Sequence, residues 1–375
     1  MLETKDATSR ILYFRRFSSV KERNEEHWIA GKKAKDTSDL LNQVFGHAMH
    51  YGTTVFDGSR AKTGPDGKLA IVNFDLNAAR FVSSMKSLYL AEPTFTPDDI
   101  PPEFEKYNKE YHSLGDIYIP SDFNEKKITE IAIECIQRNA KEGLITPTNG
   151  EIYVRPFAYR SSHPKGELGV YSLKHDVVFA LMILEWGDYL PPGLTLRVHS
   201  NGMETPSRCI KTGSNYGYGS IIKHEAVKNG LSDGLITDTD HERNILEATG
   251  ANFFIFEDED TLITPPLGPY LLAGITRRTT IELARNLGLT VREEPIPLER
   301  LADIHAGFLT GTATGLRSIG FIYDPTTRKG YELNSGYGPL NELQKEFENV
   351  IKGLQVSSKN ERLQQRVRSI VVPLN

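Results

Sequence analysis

The longest uninterrupted apolar run in the chain is Val177-Val-Phe-Ala-Leu-Met-Ile-Leu184. Flanked by polar residues and rich in β-branched positions, it predicts a strand buried on both faces. It is far below the ~20 residues that span a bilayer. The next segment, Trp186-Gly-Asp-Tyr-Leu-Pro-Pro-Gly193, carries glycine and proline breakers and predicts a domain junction, with an extended crossing to about Gly202. Beyond it the pattern alternates. A helix is expected over 215–229, stopped by Gly230 as a C-terminal glycine cap demands. A strand is expected over 234–237, then a hairpin of 252–256 and 261–264 around Asp258-Glu-Asp260. A further helix over 277–287 closes at Gly288. The last one, 340–354, repeats Leu340, Leu343, Phe347, Val350, Ile351 and Leu354 at core-facing spacing.

The first half is less regular. A helix carrying Arg80 is expected after Asp75, with Ala79, Val82 and Leu88 turned inward. Residues 93–121 are rich in Pro, Asp, Glu and Tyr without a clean period, and read as an irregular insertion or lid. The expected organisation is therefore α/β: a small α+β domain over 1–186, a connection over 187–202 and a larger α/β domain over 203–375.

Composition narrows the picture. At 375 residues the chain exceeds the roughly 250–300 at which one core stops growing, so two domains are expected. A net charge of -5 leaves no basic footprint for nucleic acid and no polybasic membrane patch. Two cysteines, Cys135 and Cys209, make neither a disulfide framework nor a metal cluster. No apolar leader is visible in the first twenty residues, and a reducing cytoplasm is the expected setting.

Four short segments carry candidate chemistry. In Cys209-Ile-Lys-Thr-Gly-Ser-Asn-Tyr216, Lys211 precedes a helix within small residues, and Tyr216 follows five positions on. An amine that attacks an aldehyde must lose its proton, which burial or a nearby positive charge promotes. Alone, such a lysine is most often a solvated surface group. In Leu272-Ala-Gly-Ile-Thr276 the backbone N–H groups and the Thr276 hydroxyl open a helix, a seat for a phosphate dianion. A threonine cap without any ligand is commoner. Glu247-Ala-Thr-Gly-Ala-Asn252 offers a carboxylate that would keep a pyridine nitrogen protonated, and otherwise reads as a solvated loop glutamate. Thr310-Gly-Thr-Ala313 adds a second small, hydroxyl-bearing turn. Arg80 would pair with phosphate or be a helix-surface arginine. An amine, a carboxylate and two phosphate seats in this order are what pyridoxal 5'-phosphate requires.

The chain resembles the branched-chain amino-acid aminotransferases among the fold-type IV enzymes that use pyridoxal 5'-phosphate. The likeness runs from about residue 50 to 322. It is carried by His50-Tyr-Gly-Thr-Thr-Val-Phe-Asp-Gly-Ser-Arg60, Tyr153-Val-Arg-Pro156, Gly166-Glu-Leu-Gly169, Trp186-Gly-Asp-Tyr-Leu190 and the segments above. It implies the D-amino-acid aminotransferase-like architecture and a homodimer in which a loop reaches the neighbour's pocket. Lys211 is implied to form the aldimine and shuttle the proton, with Glu247 at the pyridine nitrogen and Tyr216 at the phenolic oxygen. Leu272 is implied to pack on the ring, and Arg80, Ile275, Thr276 and Thr312 to hold the phosphate. Thr312 and Ala313 are implied to meet the substrate α-carboxylate. Tyr51, Phe56, Tyr153, Trp186 and Tyr189 would wall the pocket, and Arg155 would meet the distal carboxylate of glutamate or 2-oxoglutarate. The implied reaction is a ping-pong exchange between L-leucine, isoleucine or valine and 2-oxoglutarate.

The chain departs from the family at Asp57, where glutamate is usual, at Ser59, and in the longer run Ser161 to Lys165. The rival readings are D-amino-acid or (R)-amine transamination, aminodeoxychorismate lyase chemistry on the same fold, and a catalytically silent cofactor-binding module. A metal site built on His47 and His50 lacks a third ligand at suitable spacing. The scattered glycines form no strand–GxGxxG–helix unit.

Overall fold

The computed structural model describes residues 11–17, 25–30, 46–64, 68–92, 117–145, 151–161, 169–186, 191–200, 206–239, 243–352 and 369–373. Strands β1 (Ile11–Phe17) and β2 (Glu25–Ala30) come first, followed by the short helix α1 (His47–Tyr51). Then come β3 (Thr54–Phe56), β4 (Ser59–Thr63), β5 (Leu69–Val72), α2 (Phe74–Ser87), α3 (Glu125–Lys141), β6 (Glu151–Arg160) and β7 (Val177–Trp186). The second half contributes β8 (Leu194–His199), α4 (Gly213–Lys228), β9 (Asp233–Thr237), β10 (Ile245–Ala248), β11 (Asn252–Phe256) and β12 (Thr261–Thr264). It continues with α5 (Ile275–Asn286), β13 (Thr290–Glu293), β14 (Ala306–Gly311), β15 (Gly315–Asp324), β16 (Lys329–Glu332), α6 (Gly338–Ile351) and β17 (Ser369–Val372).

Two sheets result. The first runs β17-β5-β4-β6-β7-β1-β2, with β3 paired on β6. Beside its central strand, β6, runs the expected apolar strand, β7, whose Val177, Phe179, Leu181 and Ile183 are fully buried. Phe179 packs edge-on against Tyr13, Phe81 and Phe123, joining the sheet to the helices laid over it. The second sheet runs β10-β9-β8-β15-β14-β11-β12-β13, and the Glu247–Asn252 pair joins β10 to β11. That pair closes the path from β10 to β11 into a ring around an apolar core that includes Leu196, Leu235, Phe253, Leu309 and Ile322.

The helices of the second half sit where the spacing puts them. Gly230 and Gly288 take positive φ just beyond α4 and α5, at 78° and 94°. Leu340, Leu343, Phe347, Val350 and Ile351 of α6 are buried, while Leu354 lies outside the described residues. Three expectations shift. Helix α2 begins at Phe74 and turns Phe74, Ala78, Phe81 and Met85 fully inward, whereas Ala79 is exposed and Val82 and Leu88 are half-buried. One residue is about 100° of helix rotation, and the larger apolar side chains took the core. The stretch 187–202, expected as a connection, holds β8, a strand of the second sheet. Conversely β17, from the far end of the chain, pairs antiparallel with β5 in the first sheet. Most of the expected irregular segment 93–121 lies outside the described residues. Among the described residues no helix is long and apolar enough to cross a membrane.

Candidate active site

Lys211 is fixed by its backbone at the seam between the sheets. Its N–H donates to Ser84 Oγ of α2 at 3.2 Å, and its carbonyl accepts from Phe56 N–H of β3 at 3.2 Å. Thr212 Oγ1 donates to the Thr54 carbonyl at 2.8 Å. Helix α4 then starts at Gly213, where a Cβ would stand 2.5 Å from Thr54 Cγ2. Only glycine admits so close an approach. From this anchor Lys211 Nζ donates to Tyr216 Oη at 2.6 Å and lies 4.9 Å from the centre of the Phe56 ring.

Around that amine is a cavity of about 400 Å³, lined by residues of both sheets and of α2, α4 and α5. It brings together Phe56, Arg80, Tyr153, Arg155, Lys211, Tyr216, Glu247, Leu272, Ile275, Thr276, Thr312 and Ala313, all singled out in the sequence. Among the wall residues whose side chains are described, it leaves out Tyr51. Tyr51, on α1, is 40% exposed, stacks near the His47 ring at 4.5 Å and lies off the cavity. Trp186 ends β7 with its backbone opposite Glu151, and its side chain lies outside the described residues. Tyr189 lies outside the described residues.

The phosphate seat differs in one detail from the expected cap. Gly274, not Thr276, is the N-cap of α5, and among the described residues no side chain caps that end. A Cβ at Gly274 would fall 2.0 Å from Asn252 Oδ1. The first N–H groups of the helix therefore face the cavity without a side-chain partner, which suits an anion. Thr310 Oγ1, buried in the same wall, has no hydrogen-bond partner among the described residues.

Arg80 is held in a fork by Asp57, with Nε to Oδ2 and Nη2 to Oδ1 both at 2.8 Å, while Nη1 donates to the Ala273 carbonyl at 3.1 Å. Asn77 Nδ2 and the Gly58 N–H also donate to Asp57 Oδ1. Burial works against charge on Asp57, but the Arg80 guanidinium and these donors hold its carboxyl below the usual carboxylate range. Glu247 goes the other way. Burial raises its carboxyl above the usual range, against the opposing pull of the Arg208 guanidinium. Arg155 donates from Nη2 to Tyr153 Oη at 3.1 Å and packs 4.8 Å from the Phe56 ring centre. Its Nε is buried with no hydrogen-bond partner among the described residues.

Two members of the site were not singled out in the sequence. Arg208 lies in the turn Pro206–Cys209, and no local pattern distinguishes it. Asn252 bridges Glu247 Oε2 and the Leu272 carbonyl, and was visible only as the first residue of a strand. An amine against a phenol, a buried carboxylate, an uncapped helix start and the orphaned Thr310 hydroxyl fit pyridoxal 5'-phosphate.

The family model for amino-transferase class IV matches residues 54–322. The branched-chain-amino-acid aminotransferase 1, mitochondrial, of Arabidopsis thaliana is 26% identical over 325 residues, covering 85% of this chain and 73% of that protein. The crystal structure of a branched-chain aminotransferase from Thermoproteus uzoniensis with norvaline aligns at a TM-score of 0.70 and 22% identity, covering 97% of this chain and all of that one. That of the branched-chain amino acid aminotransferase from Thermobaculum terrenum in its PLP-form aligns at 0.67 and 20%, covering 96% of this chain and 99% of that one. The structural likenesses show the fold, and the family match carries the assignment: the chain belongs to the class IV amino-transferases.

Proposed function

We propose that this chain is a pyridoxal-5'-phosphate-dependent transaminase that moves the amino group between L-branched-chain amino acids and 2-oxoglutarate. The observation that carries the reading is the 2.6 Å contact between Lys211 Nζ and Tyr216 Oη, in one cavity with buried Glu247 and the uncapped start of α5. When bound, the cofactor would supply an aldehyde for amine capture and a ring that draws electrons from the substrate α-carbon. Lys211 Nζ would carry the α-proton, and Tyr216 would hold the phenolic oxygen. Glu247 would accept from the ring nitrogen, and Leu272 would pack on the ring. Arg80, Ile275, Thr276 and Thr312 would hold the phosphate. The backbone N–H groups of Thr312 and Ala313 would receive the substrate α-carboxylate.

The substrate reading rests on Phe56, Tyr153 and Arg155. Aromatic walls take a branched apolar side chain, and a guanidinium with a spare buried N–H takes a distal carboxylate in a charge-assisted contact. One pocket would thus serve both halves of a ping-pong exchange. We further propose a homodimer. Exposed Tyr51 stacks near His47, whose Nε2 lies 3.1 Å from the Val170 carbonyl, so this face would complete the pocket of a second copy.

The test is a donor panel with 2-oxoglutarate as acceptor, on protein saturated with pyridoxal 5'-phosphate, together with borohydride trapping and peptide mapping. Borohydride should label Lys211, and L-leucine, L-isoleucine and L-valine should be the best donors. Label at another residue, or turnover with D-alanine or (R)-1-phenylethylamine in place of the L-amino acids, overturns the reading.

A further inference from the structure

Among the described residues, Glu247 meets hydrogen-bond donors only. Its Oε1 receives Arg208 Nη2 at 2.8 Å and Arg208 Nε at 3.2 Å. Its Oε2 receives Asn252 Nδ2 at 3.1 Å and the Leu272 N–H at 3.2 Å. An ionised carboxylate accepts such bonds on both oxygens, whereas the acid form must spend one oxygen on an O–H that needs an acceptor. The hydrogen-bond pattern therefore specifies the carboxylate. Burial favours the acid, because the Glu247 side chain is only 8% exposed. Asn252 and Leu272 are neutral donors, so the formal charge in contact with the carboxylate comes from Arg208, itself 5% exposed.

We propose that Arg208 is a positioning residue acting through Glu247, holding that carboxylate ionised so that a proton shared with the cofactor's ring nitrogen stays on the nitrogen. The proposal rests on the cofactor reading above. Its physical basis is proximity. Arg208 stands against Oε1 itself, so its charge lowers the proton affinity of the carboxylate more than that of a ring beyond it. The chain also couples Arg208 to the reacting amine. The turn Pro206–Cys209 that sets Arg208 ends two residues before Lys211, and its Cys209 N–H donates to the Pro269 carbonyl, in the loop that leads to Leu272. One short segment thereby places the amine and biases the proton at the ring's other end.

The experiment compares the affinity of the chain for pyridoxal 5'-phosphate with that for its 1-deaza analogue, which has carbon in place of the ring nitrogen. It is run on the natural chain, Arg208→Met, Arg208→Lys and Glu247→Gln. The natural chain should prefer the nitrogen form by roughly tenfold or more, the yield of one charge-assisted hydrogen bond. Arg208→Met and Glu247→Gln should lose that preference to within about twofold while still binding the deaza form. Arg208→Lys, which keeps the charge, should retain it. Parallel loss of both ligands in Arg208→Met, an unchanged preference there, or a loss of preference in Arg208→Lys overturns the proposal. If Arg208→Met does not fold, Arg208→Lys and Glu247→Gln decide it, the first having to keep the preference and the second to lose it. A natural chain that binds both ligands equally also overturns it. Binding of neither overturns the cofactor reading instead.

Discussion

Gly58 has no side chain because Tyr153 occupies the space: a Cβ there would stand 1.9 Å from Tyr153 Oη and 2.3 Å from Cζ. Arg155 Nη2 in turn rests on that hydroxyl, so the glycine sets the position of the residue proposed to meet a distal carboxylate. Gly58→Ala is expected to raise KM for 2-oxoglutarate by about tenfold, the loss of one well-placed charged contact, while leaving the affinity for pyridoxal 5'-phosphate unchanged. Steady-state kinetics and a cofactor titration read the two separately. Asp324 makes a second prediction at this scale. It receives both arms of the Arg243 fork at 2.8 and 2.9 Å, with Thr326 N–H and Thr327 Oγ1. Burial alone would raise its carboxyl, but Arg243 and the two threonines lower it from 3.8 to about 2. A carboxyl with a depressed native value contributes stability above its unfolded value, so this contribution is lost as the pH falls from about 3.8 through about 2. In Asp324→Asn, urea midpoints should decline less steeply across that window than in the natural chain. Single residues were legible in the sequence where the chemistry is local: Lys211 and Tyr216 are five positions apart and meet. Arg208 was not, because its partner Glu247 is 39 positions away. The Asp57–Arg80 fork, spanning 23 positions, was visible only as a departure at Asp57.

Among the elements, α2 shows what periodicity leaves open. Its sequence Phe74-Asp-Leu-Asn-Ala-Ala-Arg-Phe-Val-Ser-Ser-Met-Lys-Ser87 carries two neighbouring alanines and a Phe-Val pair, so two faces one residue apart both read as apolar. The burial of Phe81 against Phe179 decides between them. Phe81→Ala should therefore cost about 3–5 kcal/mol in urea unfolding, as for a large aromatic removed from a packed core. Ala79→Ser, on the exposed side, should stay within about 0.5 kcal/mol. Helices α4 and α5 were legible because each ends on a glycine that takes positive φ, a signal confined to a few residues, and α6 because its apolar positions keep core-facing spacing. Strand β17 had no such marker. Its register, Ser369 on Val72 to Val372 on Leu69, joins positions some three hundred residues apart, and only the assembled sheet reveals it. Deleting residues 369–375 would strip β5 of its outer partner. A fall in urea midpoint together with faster exchange of the Leu69–Val72 amides would report the loss, and unchanged exchange would count against the pairing.

The whole molecule places its chemistry where two sheets with separate cores meet. Phe56 and Arg155 come from the first sheet, Glu247 and Thr312 from strands and a turn of the second, and Lys211 from the stretch stapled to both. Four of the eight exposed large apolar residues among the described ones lie on α1 and just before β7. Met49 is 77% exposed and Val170 81%, with Tyr51 and Tyr171 about half exposed. The His47–Val170 contact brings α1 and the residues before β7 into one face. Isolated exposed apolar residues need no explanation, but four that share one face fit a docking surface. A second copy related by a two-fold axis would bury the same face on each subunit and bring Tyr51 toward its partner's cavity. Charges on that face should prevent the docking, so the double variant Met49→Glu, Val170→Glu is expected to sediment as a monomer. That monomer should still bind pyridoxal 5'-phosphate, because Lys211, Arg80 and the start of α5 all belong to one chain. Its turnover with L-leucine should fall by tenfold or more, since each pocket would stand open. A double variant that still sediments as a dimer places the interface elsewhere, and a monomer with full turnover removes Tyr51 from the working pocket.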